Sequence, residues 1–192
     1  AGYLLFVSLG FTDGNDETYI LPAAYLSAAD GAAVLETHPR AVMAQIQMTS
    51  QDQEGFLVDG LFHPDFCHVL LEMVHRRQSA KGGKGRLTAT PATGFKRMYS
   101  ALSLPVETRV ISTEQSNTSI IYGQQFILKL FRRLQEGTNP DLEISRFLAG
   151  RGFAGLPGLA GFLEYTRQDA EPGTVGILQE YVANQGDAWA YT

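Results

Sequence analysis

In the stretch QSNTSIIYGQQFILKLFRRLQEGTNPDLEISRFL, Gln115 to Leu148, a single lysine interrupts the apolar run Phe126-Ile127-Leu128-Lys129-Leu130-Phe131. Strand side chains alternate between faces, so Lys129 shares its face with Ile127 and Phe131. An ammonium among apolar side chains is costly unless it is paired. The sequence offers a partner downstream. Asn139-Pro140-Asp141 is a helix start, with Asn139 as N-cap and Pro140 at the first helical position. Glu143 precedes Phe147 by four residues, which turns its carboxylate toward the apolar side of that helix. The segment therefore predicts an inward lysine on a strand and an inward glutamate on the next helix.

Such a lysine and glutamate are the charge pair of a kinase N-lobe. Three motifs extend the likeness: Ser116-Asn117-Thr118-Ser119, then Ile127-Leu128-Lys129-Leu130-Phe131-Arg132-Arg133, then Asn139-Pro140-Asp141-Leu142-Glu143-Ile144-Ser145-Arg146-Phe147-Leu148. Together they resemble the bacterial maltokinases, a family that includes the kinase domain fused to trehalose synthase and related aminosugar kinases. Its fold is similar to that of the aminoglycoside phosphotransferases. The likeness is closest over residues 106 to 189 and looser upstream. It implies transfer of the ATP γ-phosphate to maltose, giving maltose 1-phosphate for α-glucan synthesis, with Mg2+ as cofactor. A trehalose synthase domain or a second copy of the chain would be a possible partner, and glucosamine or another sugar an alternative acceptor.

The 192 residues suffice for one large domain or two small ones. The chain is 44% hydrophobic and 18% charged, an ordinary globular composition. A net charge of −5 makes it a poor nonspecific nucleic-acid binder. The single cysteine, Cys67, forbids an internal disulfide and fits a reducing cytoplasm. No apolar stretch has the length of a membrane span, and no signal sequence opens the chain.

The expected fold class is α+β, with an antiparallel-sheet cap subdomain over residues 1–105 and a kinase-like N-lobe over 106–192. Because Ala1-Gly2 runs straight into a strand, the chain is expected to begin inside a domain. In the cap, strands are expected at residues 3–9 and 18–26, at Val34-Leu35, at 41–48 and at 55–62. A turn separates the first two, and Pro22 suggests an edge or bend in the second. A helix from Pro64 carries the stripe Phe66, Val69, Leu70, Met73 and Val74. Lys81 to Arg86 reads as a mobile loop, lacking the Gly-Lys-Ser/Thr order of a P-loop. Strands at 108–113, 118–122 and 126–131, a helix at 140–148, and strands at 162–166 and 174–181 give five strands with one main helix after the third, the N-lobe order.

Lys129, oriented by Glu143, is the candidate for holding the ATP α- and β-phosphates; a structural ion pair is the plainer alternative. Gln115 to Ser119 takes the place of a glycine-rich loop, where the hydroxyls of Ser116, Thr118 and Ser119 and the amide of Asn117 would add donors to the backbone N–H groups. Gln179-Glu180-Tyr181-Val182, leading into residues 183–187, is the candidate hinge for adenine. His68, Glu72 and His75 share a helix face at spacings open to zinc, although a solvated surface is the better reading and no metal site is assigned. Tyr181 and Trp189 offer aromatic faces to a sugar, although packing at a lobe boundary is the better reading. The sequence lacks a His-Arg-Asp or His-Gly-Asp motif and an Asp-Phe-Gly or Asp-Phe-Glu motif. It is accordingly expected to be a cap and N-lobe ending at the hinge, without a C-lobe and inactive alone. A non-catalytic, kinase-like interaction module is the alternative of a different class.

Overall fold

The computed structural model describes residues 2–48, 53–111 and 116–183. In chain order the elements are β1 (Gly2–Leu9), β2 (Glu17–Ser27), α1 (Ala28–Thr37), β3 (Val42–Met48), β4 (Gln53–Asp59), α2 (Pro64–His75), β5 (Ser79–Lys81), β6 (Gly85–Pro91) and α3 (Phe95–Tyr99). They continue with β7 (Thr108–Ile111), β8 (Asn117–Tyr122), β9 (Phe126–Phe131), β10 (Arg133–Leu134), α4 (Pro140–Ala149), β11 (Leu159–Arg167) and β12 (Gly173–Glu180). Among the described residues they form two antiparallel sheets with few helices, an α+β arrangement. The first sheet runs β1-β2-β4-β3, with β10 also on β2; the second runs β5-β6-β11-β12-β9-β8-β7.

Strands β7, β8, β9, β11 and β12 follow one another as expected, with α4 after β9. The boundary near residue 105 does not follow the sheets, however. β6 pairs with β11, Leu163 opposite Ala89, and so extends the second sheet with residues from before that boundary. β10 crosses the other way and pairs with β2. The backbone explains both: an uncovered strand edge leaves unpaired N–H and C=O groups, and these segments lie close enough to satisfy them.

Three local expectations also change. Val34-Leu35 lies in helix α1, not a strand; Ser27 caps this helix by accepting the Asp30 N–H at 3.2 Å, and its Ala-rich sequence favours the helix. Lys81 to Arg86 is the tip of the β5–β6 hairpin, closed by Gly82 N–H to Gly85 O at 2.8 Å. Pro22 lies within an interior strand. The Ile20 N–H points to Arg132 O, so by the strand period the Pro22 nitrogen faces the same side. On that side it falls in the gap between β10, which pairs with residues 18–19, and β4, which pairs from Ala23, so no ladder bond is lost.

The main core lies between α2, the inner face of the first sheet and one face of the second. Leu70 and Val74 of α2 meet Tyr122, Phe126, Leu128, Leu163 and Leu178 there. The buried stripe of α2 centres on Cys67, Leu70, Leu71 and Val74, which rotates Val69 into solvent and corrects its expected core position. Helix and sheet approach closely at Gly161, where a Cβ would stand 2.7 Å from Val74 Cγ1. Phe6 of β1 stacks on Tyr165 at 3.7 Å, joining the sheets. Cys67 Sγ donates to Leu61 O at 3.0 Å, and burial pushes its thiol up to about 12. No helix among the described residues is long and apolar enough to cross a membrane.

Candidate functional site

Strand β9 divides its side chains as the alternation predicts. Phe126, Leu128 and Leu130 enter the main core, while Ile127, Lys129 and Phe131 face the other way. Register places Ser119 of β8 and Ile177 of β12 on either side of Lys129. Phe131 and Ile177 join Leu142, Leu159 and Phe162 in a second, smaller core beneath α4.

Helix α4 begins as the sequence indicates. Asn139 Oδ1 accepts the Asp141 N–H at 2.9 Å, and Pro140 occupies the first turn. The Asn139 N–H donates to Thr174 Oγ1 at 3.0 Å, tying the helix start to β12. The expected Lys129–Glu143 pair does not form. Lys129 Nζ lies 2.9 Å from Asp141 Oδ2 instead, and Glu143 is exposed. Helix rotation is the reason. Leu142, with no exposed surface, plugs into the small core and sets the azimuth of α4. Asp141 then faces the lysine, and Glu143, about 200° further round, faces away. Phe147, expected on the apolar side, is exposed together with Ile144, and Arg151 lies over its ring. The Lys129 side chain keeps 30% of its surface exposed, so this pair is worth no more than about 1 kcal/mol.

The expected phosphate turn is largely strand. Asn117, Thr118 and Ser119 are buried in β8, and Ser116 is the exposed residue before it. Gln115 and the preceding 112–114 lie outside the described residues. Only Asn117 and Ser119 share the Lys129 face. Thr118 alternates with them onto the core side, where its Oγ1 accepts from Arg132 Nε and Nη2 at 3.3 and 3.2 Å. Sequence reasoning missed this arginine, although Arg132 lies two residues past Leu130 on the core face.

At the other end of β12, Gln179 and Glu180 still pair with Ile127 and Phe126. The Glu180 N–H donates to Gly158 O and the Tyr181 N–H to Gln125 O, so both amides are used within the protein. Val182 is exposed. A cavity of about 310 Å³ lies beside this segment, lined by Arg109, Ile121 and Tyr181 among others. Register puts Arg109 and Ile121 on the Lys129 face. Residues 184–192, including Trp189 and the latter part of the expected hinge, lie outside the described residues. A roomier polar cavity of about 510 Å³ lies beside the start of α4, where Arg133 pairs with Glu17 and Arg167 with Glu136.

The α2 side chains considered as zinc ligands have structural partners. His68 Nε2 lies 2.7 Å from Val106 O, and His75 stacks on Tyr99 at 3.8 Å. Glu72 accepts from the Tyr99 hydroxyl at 2.8 Å and pairs with Arg76. Burial pushes the Glu72 carboxyl up, but those two hydrogen bonds outweigh it and hold it below its ordinary value. Among the described residues no three His, Cys, Asp or Glu side chains converge as a metal site.

The open face of an antiparallel sheet thus carries a half-buried lysine under a capped helix. Comparison with known proteins gives this arrangement a context. No protein-family model matches the chain. Glucosamine kinase of Mycolicibacterium smegmatis is 29% identical over 109 residues, 55% of this chain and 27% of that enzyme. A solved structure of glucosamine kinase in complex with glucosamine, ADP and inorganic phosphate matches the whole chain with a TM-score of 0.53 at 14% identity. The chain covers 38% of that structure's chain. It is therefore related in sequence and fold to a sugar kinase, and spans well under half the length of these relatives.

Proposed function

We propose that this chain is the nucleotide-side portion of an ATP-dependent sugar kinase, with residues 106–192 and the β5–β6 hairpin that extends their sheet as its N-lobe and the other residues before them as the cap. The observation that carries the reading is Lys129: a half-buried lysine in an apolar strand, paired to the first turn of α4. Its ammonium would hold the α- and β-phosphates of ATP, with Asp141 in the orienting role in this state. Glu143 would take that role only after α4 rotates. Ser116, Asn117 and Ser119 would line the phosphate side, with Thr118 supporting them through Arg132. Gln179 to Val182 would border the adenine, beside the cavity at Arg109 and Ile121. The described residues do not form a carboxylate cluster for Mg2+, and the sequence lacks the catalytic-loop motifs. In this reading those groups belong to the rest of a longer kinase, and the chain alone does not turn over.

Similarity to glucosamine kinase favours glucosamine as the acceptor. Maltose is the second reading, favoured by the Asn139-to-Leu148 motif, and would place the enzyme in α-glucan metabolism, either free or joined to a trehalose synthase. A cytoplasmic setting fits both. The test is ATP-dependent phosphorylation of glucosamine, maltose and glucose by a longer kinase containing this chain, with the product assigned by phosphorus NMR. Lys129→Ala is expected to lower turnover by orders of magnitude with the fold intact. Near-normal turnover of that variant would remove Lys129 from the site, and a longer protein inactive on every sugar would refute the proposal.

A further inference from the structure

We propose that the outer face of the β1–β2 hairpin is a docking surface for a second copy of this chain. Tyr3, Leu5, Val7 and Leu9 alternate along β1 and are 37–58% exposed. Leu21, opposite Leu5 on β2, and Phe11, just past the strand, are exposed as well. The inward side chains of the same strand, Leu4 and Phe6, pack against the main core. The hairpin is thus apolar on both faces, whereas a solvated sheet ordinarily alternates apolar with polar.

Three features select a second copy as the occupant. The first is area. The stripe offers roughly 500 Å² per copy, near the top of the range for the largest patch on a monomer. Two copies face to face would bury about 1,000 Å², the size at which a specific interface begins. The second is charge: no charged residue stands between Gly2 and Thr12, and Glu17, opposite Leu9 on the same face, is paired with Arg133, so identical stripes meet without net repulsion. The third is symmetry. A twofold axis near Phe6 brings Leu5 against the partner's Val7 and Tyr3 against the partner's Leu9, a self-complementary match.

The full chain is expected to sediment as a reversible dimer with a micromolar dissociation constant. Leu5→Lys, at an exposed position, should keep the wild-type circular dichroism and weaken association at least about tenfold, the cost of setting a charge into the stripe. A cysteine gives an independent readout, because Cys67 is fully buried. Because Leu5 faces the partner's Val7, an equimolar mixture of Leu5→Cys and Val7→Cys chains should form a disulfide dimer under mild oxidation, and Glu36→Cys, exposed on α1, should not. A wild-type chain that stays monomeric to about 100 μM overturns the proposal and assigns the stripe to another occupant. So does a dimer unchanged by Leu5→Lys, which would point to the exposed Ile144 and Phe147 instead. Cross-linking of Glu36→Cys equal to that of the Leu5→Cys and Val7→Cys mixture also overturns it.

Discussion

Truncating Leu142 should release α4 without unfolding the sheets. The helix has ten residues, too few for stability on its own. Its interior contribution is Leu142 and Ser145, whereas Ile144 and Phe147 are 53% and 55% exposed. Leu142 is fully buried against Phe131, Leu159, Phe162 and Ile177. Leu142→Ala removes that burial and leaves a cavity, at a combined cost of about 3 kcal/mol within the range for buried leucines. At about 1.4 kcal/mol per tenfold, local opening of α4 should rise on the order of a hundredfold. Hydrogen exchange followed by mass spectrometry reads this directly. Peptides over 139–150 should lose about two decades of protection while those over 159–180 lose far less. Ile144→Ala is the control and should change protection by less than about threefold, the effect of an ordinary surface substitution. Equal losses from the two variants, or uniform loss across both sheets, would refute the assignment of Leu142 as the plug that holds the helix.

Two pH-dependent predictions follow from carboxylates near the core. Burial holds the Asp59 carboxyl above its ordinary 3.8, outweighing the Leu61 N–H and Arg132 that pull it down. The folded state therefore binds this proton more tightly than the unfolded chain, and stability falls as pH rises through the interval between the two values. Asp59→Asn, which keeps an oxygen for the Leu61 N–H, should raise the unfolding midpoint at pH 7 by up to about 3 °C and lose that advantage below the ordinary value; a midpoint lowered at pH 7 would contradict this. Glu72 has the opposite sign. Its lowered folded value makes its contribution present above the ordinary 4.5 and lost as pH falls through the folded value. Glu72→Gln should therefore lower the midpoint at pH 7 by about 1–2 °C, with the difference vanishing in acid; a difference independent of pH would show that it arises from packing rather than charge.

Much of the second half of the fold was legible because its signals are local. Alternation along Phe126–Phe131 placed Lys129 on the correct face, and Asn139-Pro140 marked the start of α4 to the residue. The azimuth of that helix was not legible. Ile144, Phe147 and Leu142 are all apolar, and periodicity alone does not say which of them the small core admits. The choice of Leu142 moved the lysine's partner from Glu143 to Asp141. Long-range pairing was hidden for a similar reason: nothing in Gly85–Pro91 announces β11 as its neighbour, since edge pairing depends on which backbone is left open. The Ser116–Ser119 tetrapeptide misled because hydroxyl side chains suit a turn and a buried strand alike, and its partner Arg132 stands outside the motif.

The connection from Lys129 to Asp141 is held more firmly than the ion pair at its ends. The Arg132 N–H donates to Ser116 O, and Arg132 O accepts from Ile20 N–H in the first sheet. Arg133 and Leu134 then pair with β2, and Arg133 reaches Glu17 at 2.6 Å. Gly137, in the left-handed region at φ 89°, bridges Gly173, and Asn139 is tied to Thr174. The backbone between lysine and carboxylate is thus fixed at four successive points, two by the first sheet and two by the start of β12. A half-exposed ion pair contributes no more than about 1 kcal/mol and does not fix so long a connection. The fixed backbone aligns the pair instead, and the low value of the pair then has a consequence. Were an anionic ligand to replace the Asp141 carboxylate, as the proposed function requires, the fold would lose little, because the backbone already holds β9 and the start of α4 in place. The first sheet, remote from the lysine face, acts on that site by anchoring the chain on which lysine and helix both hang.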